Sequence, residues 1–260
     1  MGSNTRSSGF SGGGASSCPG PAGTAAGRWA GRARLRPGGL LYGGAVGSAG
    51  VHAHHSVQVI AALGGDELLL AGPDGEPFGC RAYVVPAGVR HAVLRGVPCG
   101  VVLHYDPLSS AGRRLAALAG DAGDLVPAET LPADAFEAAC ALDAVLPGGP
   151  QPVAAAHPGL ARVLEWLPGR EPVPLSRAAE VACLSESRLA HLFRAELGLP
   201  FRPYVLWLRL MRAAELSSRG HSLTDAAHGA GFADGAHLSR VWRRMFGIAP
   251  SDFTRTVRWM

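Results

Sequence analysis

Two stretches, Leu175–Gly198 (LSRAAEVACLSESRLAHLFRAELG) and Leu223–Gly247 (LTDAAHGAGFADGAHLSRVWRRMFG), are one pattern written twice. Leu-Ser-Arg-Ala-Ala at 175–179 lies over Leu-Thr-Asp-Ala-Ala at 223–227, and Leu189, Phe193 and Gly198 lie over Leu238, Trp242 and Gly247. Each copy reads as helix, turn, helix. Ser176 and Ser185 are placed to cap the two helices of the first copy, and Ser222 and Asp234 those of the second, by accepting from a first-turn N–H that has no helical partner. Ala178, Ala179 and Ala182, like Ala226, Ala227 and Ala230, are small where two helices must cross closely. Gly231 permits a turn and Gly198 stops a helix.

Spacings of three and four put Leu189, Leu192 and Phe193 on one face of the second helix of copy one, which turns Ser187, Arg188, Ala190, His191 and Arg194 outward. In copy two Leu238, Val241, Trp242 and Met245 or Phe246 face inward, leaving Gly235, Ala236, His237, Ser239, Arg240, Arg243 and Arg244 outward. Two such units on one chain suit two successive turns of a DNA major groove. Arg240, central on its face, has the reach for a guanine edge, and Gly235 and Ala236 allow close approach to bases. Any single Arg reads equally well as a solvated surface charge; the duplication decides. The charge distribution agrees, since residues 176–260 hold 12 Arg against 7 acids, while residues 37–175 hold 7 Arg against 13. All 24 Lys and Arg positions are Arg, a coding bias before it is a function.

The stretch Gly231–Arg255, GFADGAHLSRVWRRMFGIAPSDFTR, resembles the signature of the AraC family of bacterial transcription regulators, and the similarity covers about Pro174 to Arg255. Ala226 stands where a larger aliphatic is usual, and Trp242 where Phe is usual. The resemblance implies two recognition helices joined by a helix over Tyr204–Ser217, entering one face of a duplex roughly 34 Å apart. It also implies double-stranded promoter DNA and RNA polymerase as partners.

Upstream, residues 29–105 carry short apolar runs broken by Gly, Pro and Asp (VQVIAALGG, DELLLAG, CRAYVVPAG, HAVLRG, CGVVLHYD), which predict a small antiparallel barrel or sandwich. Helical spacing follows over Ser110–Ala119, Ala133–Val145 and Pro158–Leu167, with breaks at Pro147–Pro150 and Pro168–Pro174. The expected class is α+β, with a leader at 1–27, a barrel at 28–107, a helical connector at 108–168 and a double helix-turn-helix domain at 169–260.

Within the barrel, His52-x-His54-His55 with Gln58, and Pro86-x-Gly88-x-x-His91, resemble the two motifs of the cupin barrel. The resemblance implies that His52, His54, Gln58 and His91 line one pocket, which reads as a metal site, an effector pocket or a structural cluster. Gln58 occupies the position of the usual carboxylate, and a neutral amide is a poorer ligand for a divalent ion. The expectation is therefore an effector pocket for a small molecule, with no metal and no cofactor. Pro86 and Gly88 read as turn-makers, and His104 as a core or edge histidine.

No nucleophile elbow, phosphate-cradling loop or paired Cys and His motif is present, so no catalytic residue is assigned. The rival class is a metal-dependent cupin isomerase or dioxygenase with a DNA-binding appendage. Five scattered cysteines without a C-x-x-C pair fit reduced thiols in the cytoplasm. No run reaches the ~18 apolar residues of a membrane span, and the Gly-, Ser- and Ala-rich leader has no signal-peptide core. The leader reads as disordered. The sequence thus predicts a cytoplasmic, sequence-specific transcription regulator, modulated by a small molecule or by homodimer contact at the barrel.

Overall fold

The computed structural model describes residues 27–123, 130–146, 157–169 and 172–260. The expectations for residues 1–26 and for the Pro147–Pro150 break lie outside them. Strands β1 (Ala30–Arg36), β2 (Gly39–Val46), β3 (Ala49–His52), β4 (Val57–Ala62), β5 (Leu68–Ala71), β6 (Pro77–Cys80), β7 (Ala82–Val85), β8 (His91–Arg95) and β9 (Val97–Tyr105) come first. They are followed by α1 (Ser110–Ala117), β10 (Gly120–Asp121), α2 (Ala135–Val145) and α3 (Pro158–Trp166). The last part holds α4 (Leu175–Ala182), α5 (Glu186–Leu197), α6 (Phe201–Ser218), α7 (Leu223–Gly229), α8 (Gly235–Phe246), α9 (Pro250–Thr254) and β11 (Val257–Trp259). The strands form a seven-stranded sheet in the order β10-β7-β4-β9-β2-β1-β11 and a four-stranded sheet in the order β3-β8-β5-β6.

The largely apolar strands β4 and β9 are buried on both faces along nearly all of their length. Along β4, Val57, Val59 and Ala61 join one apolar cluster while Ile60 and Ala62 join another, as the two-residue period of a strand requires. The first cluster is closed from outside by α1 and α2, through Ala111, Leu115, Ala138, Ala139 and Leu142. Ser109 and Asp134 cap those two helices. Helix α3 has a different allegiance: Leu160, Val163 and Leu167 pack with Leu189, Phe193 and Tyr204 of α5 and α6. The expected connector is therefore divided between the barrel and the helical domain.

The second cluster crosses the domain boundary. Tyr42, Val46, Ala49, Val93 and Val102 of the barrel share it with Leu238, Trp242, Met245, Phe253 and Val257 of the helical domain. Strand β11 pairs in parallel with β1, Gly31 opposite Val257 and Ala33 opposite Trp259. Half of the helical domain thus completes its core against the barrel.

One further expectation needs correction. Ser176 is not a cap: α4 begins at Leu175 behind Pro174, whose extended backbone (φ −71°, ψ 151°) already turns the chain into the helix without a side-chain bond. Cys80, Cys140 and Cys183 are free. No helix among the described residues is long and apolar enough to cross a membrane.

Candidate DNA interface and effector pocket

The caps that set the recognition helices are in place. Ser185 Oγ accepts from Arg188 N at 3.3 Å, Ser222 Oγ from Asp225 N at 3.1 Å, and Asp234 Oδ1 from His237 N at 2.6 Å. Gly198 (φ 67°) and Gly247 (φ 71°) end α5 and α8 in the left-handed region, and Gly231 (φ 75°) makes the turn between α7 and α8. With Leu189, Leu192 and Phe193 buried, Ser187, Arg188, His191 and Arg194 are exposed on α5. On α8, Ala236, Arg240, Arg243 and Arg244 are exposed. Gly235, His237 and Ser239 are only half-buried: the His237 ring meets Phe232 at 5.4 Å, and Ser239 Oγ donates to Gly235 O at 2.7 Å. Among the described residues, no ion pair holds Arg188, Arg194, Arg240, Arg243 or Arg255, whereas Arg212 is paired with Glu215 at 2.7 Å.

One element of the repeat was not legible in the sequence. Arg162 of α3 donates to Ala182 O at 2.7 Å, where α4 ends, and Arg209 of α6 donates to Ala230 O at 3.1 Å, where α7 ends. Each guanidinium satisfies carbonyls that a helix C-terminus leaves open. The repeated unit is thus three helices, α3–α4–α5 and α6–α7–α8. Its first helix escaped notice because only the Arg and the apolar stripe recur.

In the barrel, four strands and a loop bring the histidines together. His52 ends β3 opposite His91 of β8, Gln58 of β4 lies opposite His104 of β9, and His54 enters from the loop after β3. Strand β3 ends at His52, and the loop carries His54 to the same place. All five side chains are buried. His104 belongs to this cluster, with its ring centroid 5.0 Å from that of His54 and 5.6 Å from Phe246. Its place depends on strand register, which the sequence does not display. His55 Nδ1 has no hydrogen-bond partner among the described residues.

Proton positions follow from the acceptors. Nδ1 of His52 lies 2.7 Å from Gly50 O, Nδ1 of His54 2.7 Å from Ser56 O, and Nδ1 of His91 3.1 Å from Val89 O. A carbonyl only accepts, so each Nδ1 donates. Burial keeps the rings neutral: it lowers the pKa of His52, holds His54 well below the usual imidazole range, and takes His91 down to about 2 and His104 to about 3. A neutral ring has one N–H, so every Nε2 offers a lone pair. Gln58 Oε1 lies 2.7 Å from His54 Nε2 and 3.0 Å from His91 Nε2. An amide oxygen only accepts, so facing two lone pairs it makes no hydrogen bond; turning the amide end for end puts its NH2 group there and satisfies both rings.

Ring nitrogens of His52, His54 and His91 lie within 4.8 Å of one another, and backbone-pinned Nδ1–H groups are the usual second partners of metal-binding imidazoles. The three rings alone would fit a transition metal. The Gln58 amide, donating to two of the three lone pairs, competes for the same place.

Next to the cluster is a cavity of about 40 Å³, lined by His52, Gln58 and His104, by Tyr42, Val93 and Val102 of the barrel, and by Trp242, Phe246 and Phe253 of the helical domain. Among the described residues the buried Trp242 indole N–H has no partner. A space of that size takes a few atoms at most.

Residues 178–256 match a family model described as a helix-turn-helix domain. The arabinose operon regulatory protein of Escherichia coli (strain K12) is 34% identical over 80 residues, 30% of this chain and 27% of that protein. The HTH-type transcriptional regulator GbdR of Pseudomonas aeruginosa (strain UCBPP-PA14) is 35% identical over 83 residues, 32% of this chain and 23% of the relative. The chain spans about a third or less of the length of such curated relatives. Among solved structures, an apo form of ToxT from Vibrio cholerae strain SCE256 is similar over 86% of this chain and 99% of that one, with a TM-score of 0.53 at 10% identity. That likeness is one of fold, from the barrel through the helical domain.

Proposed function

We propose that this chain, whose residues 178–256 match a helix-turn-helix family model and are similar to the arabinose operon regulatory protein, is a sequence-specific transcription regulator of the AraC type with an effector pocket in its barrel. The observation that carries the reading is the pair of capped helices α5 and α8, each presenting arginines that have no acid partner among the described residues, on the face turned away from the core. Ser187, Arg188, His191 and Arg194 form the first contact surface. Gly235, Ala236, His237, Ser239, Arg240 and Arg243 form the second, with Arg240 reading a base and its neighbours holding phosphate. RNA polymerase and a second copy of the chain are the protein partners of the same reading.

The pocket acts on α8 without an intermediary. Trp242 and Phe246 line it from the helix that carries Arg240, so a ligand there touches the barrel and the recognition helix at once. The unpartnered Trp242 N–H calls for a ligand with a hydrogen-bond acceptor, and the apolar lining for a small one. The metal-dependent enzyme finds no support among the relatives, which are named as regulators, and a Gln58 amide turned to donate would occupy two of the imidazole lone pairs that a metal would need. Selection of bound sequences from random duplexes with the full chain tests the reading. Recovery of a two-part site with half-sites about one helical turn apart is expected; enrichment of no sequence would reject it.

A further inference from the structure

Where the barrel meets the end of the second recognition helix, three guanidiniums from separate elements line one cleft of about 330 Å³. Arg28 stands just before β1, Arg243 on α8 and Arg255 just after α9, and all three are exposed. Asp252 is the one acid of the lining. None of these four charges is held in an ion pair among the described residues.

The floor of the cleft is fixed. Gly50 N donates to Gly247 O at 3.1 Å, Ser48 N to Gly27 O at 3.2 Å, and the Trp29 indole N–H to Ser48 O at 3.0 Å. A Cβ on Gly247 would lie 2.5 Å from Gly50 O, so the backbones of the barrel and of α8 touch at this point. Three like charges against one acid leave an excess that an anion relieves. A guanidinium's planar fork matches phosphate oxygens. Arg243 lies one helical turn beyond Arg240 on the exposed stripe of α8, so a duplex whose bases meet Arg240 brings its backbone towards this cleft.

We propose that Arg28 of the barrel joins Arg243 and Arg255 in a site for a DNA backbone phosphate, so that the barrel takes a direct part in DNA contact. The proposal rests on the DNA-binding reading above. It is tested by titrating the full-length protein and its Arg28→Ala form against a labelled duplex of random sequence, about three helical turns long, over a salt series. Arg28→Ala is expected to weaken binding about fivefold and to lower the slope of log K against log salt by about 1. Asp252→Asn shifts binding the opposite way, and Arg113→Ala, on α1 and outside the cleft, leaves it unchanged. Equal slopes and affinities for the wild type and Arg28→Ala overturn the proposal. So does a loss in Arg28→Ala of thermal stabilisation by inorganic phosphate with duplex binding intact, which assigns the site to a free anion. Absence of duplex binding by the wild type itself rejects the functional reading, an outcome distinct from a lack of difference between variants.

Discussion

Replacing Gln58 by Ala separates two roles that its amide could play at the histidine cluster, weak metal ligand or competitor for the lone pairs. A metal taken up by His54 and His91 must break two hydrogen bonds, of 2.7 and 3.0 Å, from the Gln58 amide. At about 1 kcal/mol net for each, they oppose binding by about 2 kcal/mol, a factor of about 30 in Kd. Gln58→Ala is therefore expected to bind Co²⁺ about 30-fold more tightly than the wild type. Gln58→Glu, which adds an anionic oxygen, is expected to go further in the same direction. The visible absorption of Co²⁺ reports uptake by the full-length protein, and circular dichroism checks that each variant is folded. Wild-type protein purified without chelators is expected to carry well under one equivalent of any transition metal. Refutation takes either of two forms: wild-type binding as tight as that of Gln58→Ala, which makes the amide a ligand, or no binding by folded Gln58→Glu, which denies that the three rings converge.

Three other outcomes are expected. Arg240→Ala costs about 1–3 kcal/mol on a selected site and relaxes preference at one base pair, while Arg255→Ala weakens all duplexes alike; an unaltered preference in the first would show that the docking face is misassigned. Stability falls steeply with acid. His52, His54, His91 and His104 stay neutral in the fold but take up protons near pH 6.5 when unfolded, so below that pH the unfolded chain binds more protons and each ring costs up to about 1.4 kcal/mol per pH unit. Asp106, raised to about 6 by burial, works in the opposite sense between about pH 6 and 4, but it is one group against four. A urea midpoint that is flat from pH 7 to 5 would contradict neutral rings. Finally, Cys183→Gly raises stability by about 0.5–1 kcal/mol, because Cys183 is the one non-glycine residue with a positive φ (55°) among those described. A lower urea midpoint for that variant would count against the strain.

The parts of the fold that were legible in the sequence are those fixed by neighbours along the chain. Ser185, Ser222 and Asp234 cap as read, and Gly198 and Gly231 turn as read, because a cap or a left-handed glycine depends on a few adjacent residues. The alternation of helical cores at spacings of three and four was equally local. Ser176 failed because Pro174 competes for the same entry and wins by its fixed φ. Other features depend on partners far away in sequence. His104 joins its cluster through a register with Gln58, β11 finds β1 across the length of the chain, and α3 is drawn to the helical domain by Leu160 and Arg162. None of these leaves a periodic mark. Gln58 lies between the two cases: its identity announced a departure from the usual ligand set, but which end of its amide faces the rings required the carbonyls around them.

The pairing of β11 with β1 has a mechanical consequence. The helical domain is fastened to the barrel at both ends, by the chain entering it and by its own last strand. Between those two points α8 is itself held, since Trp242 and Met245 share an apolar cluster with the barrel and Gly50 N donates to Gly247 O at 3.1 Å. Like a braced joint, α8 shifts against the barrel only when those contacts part.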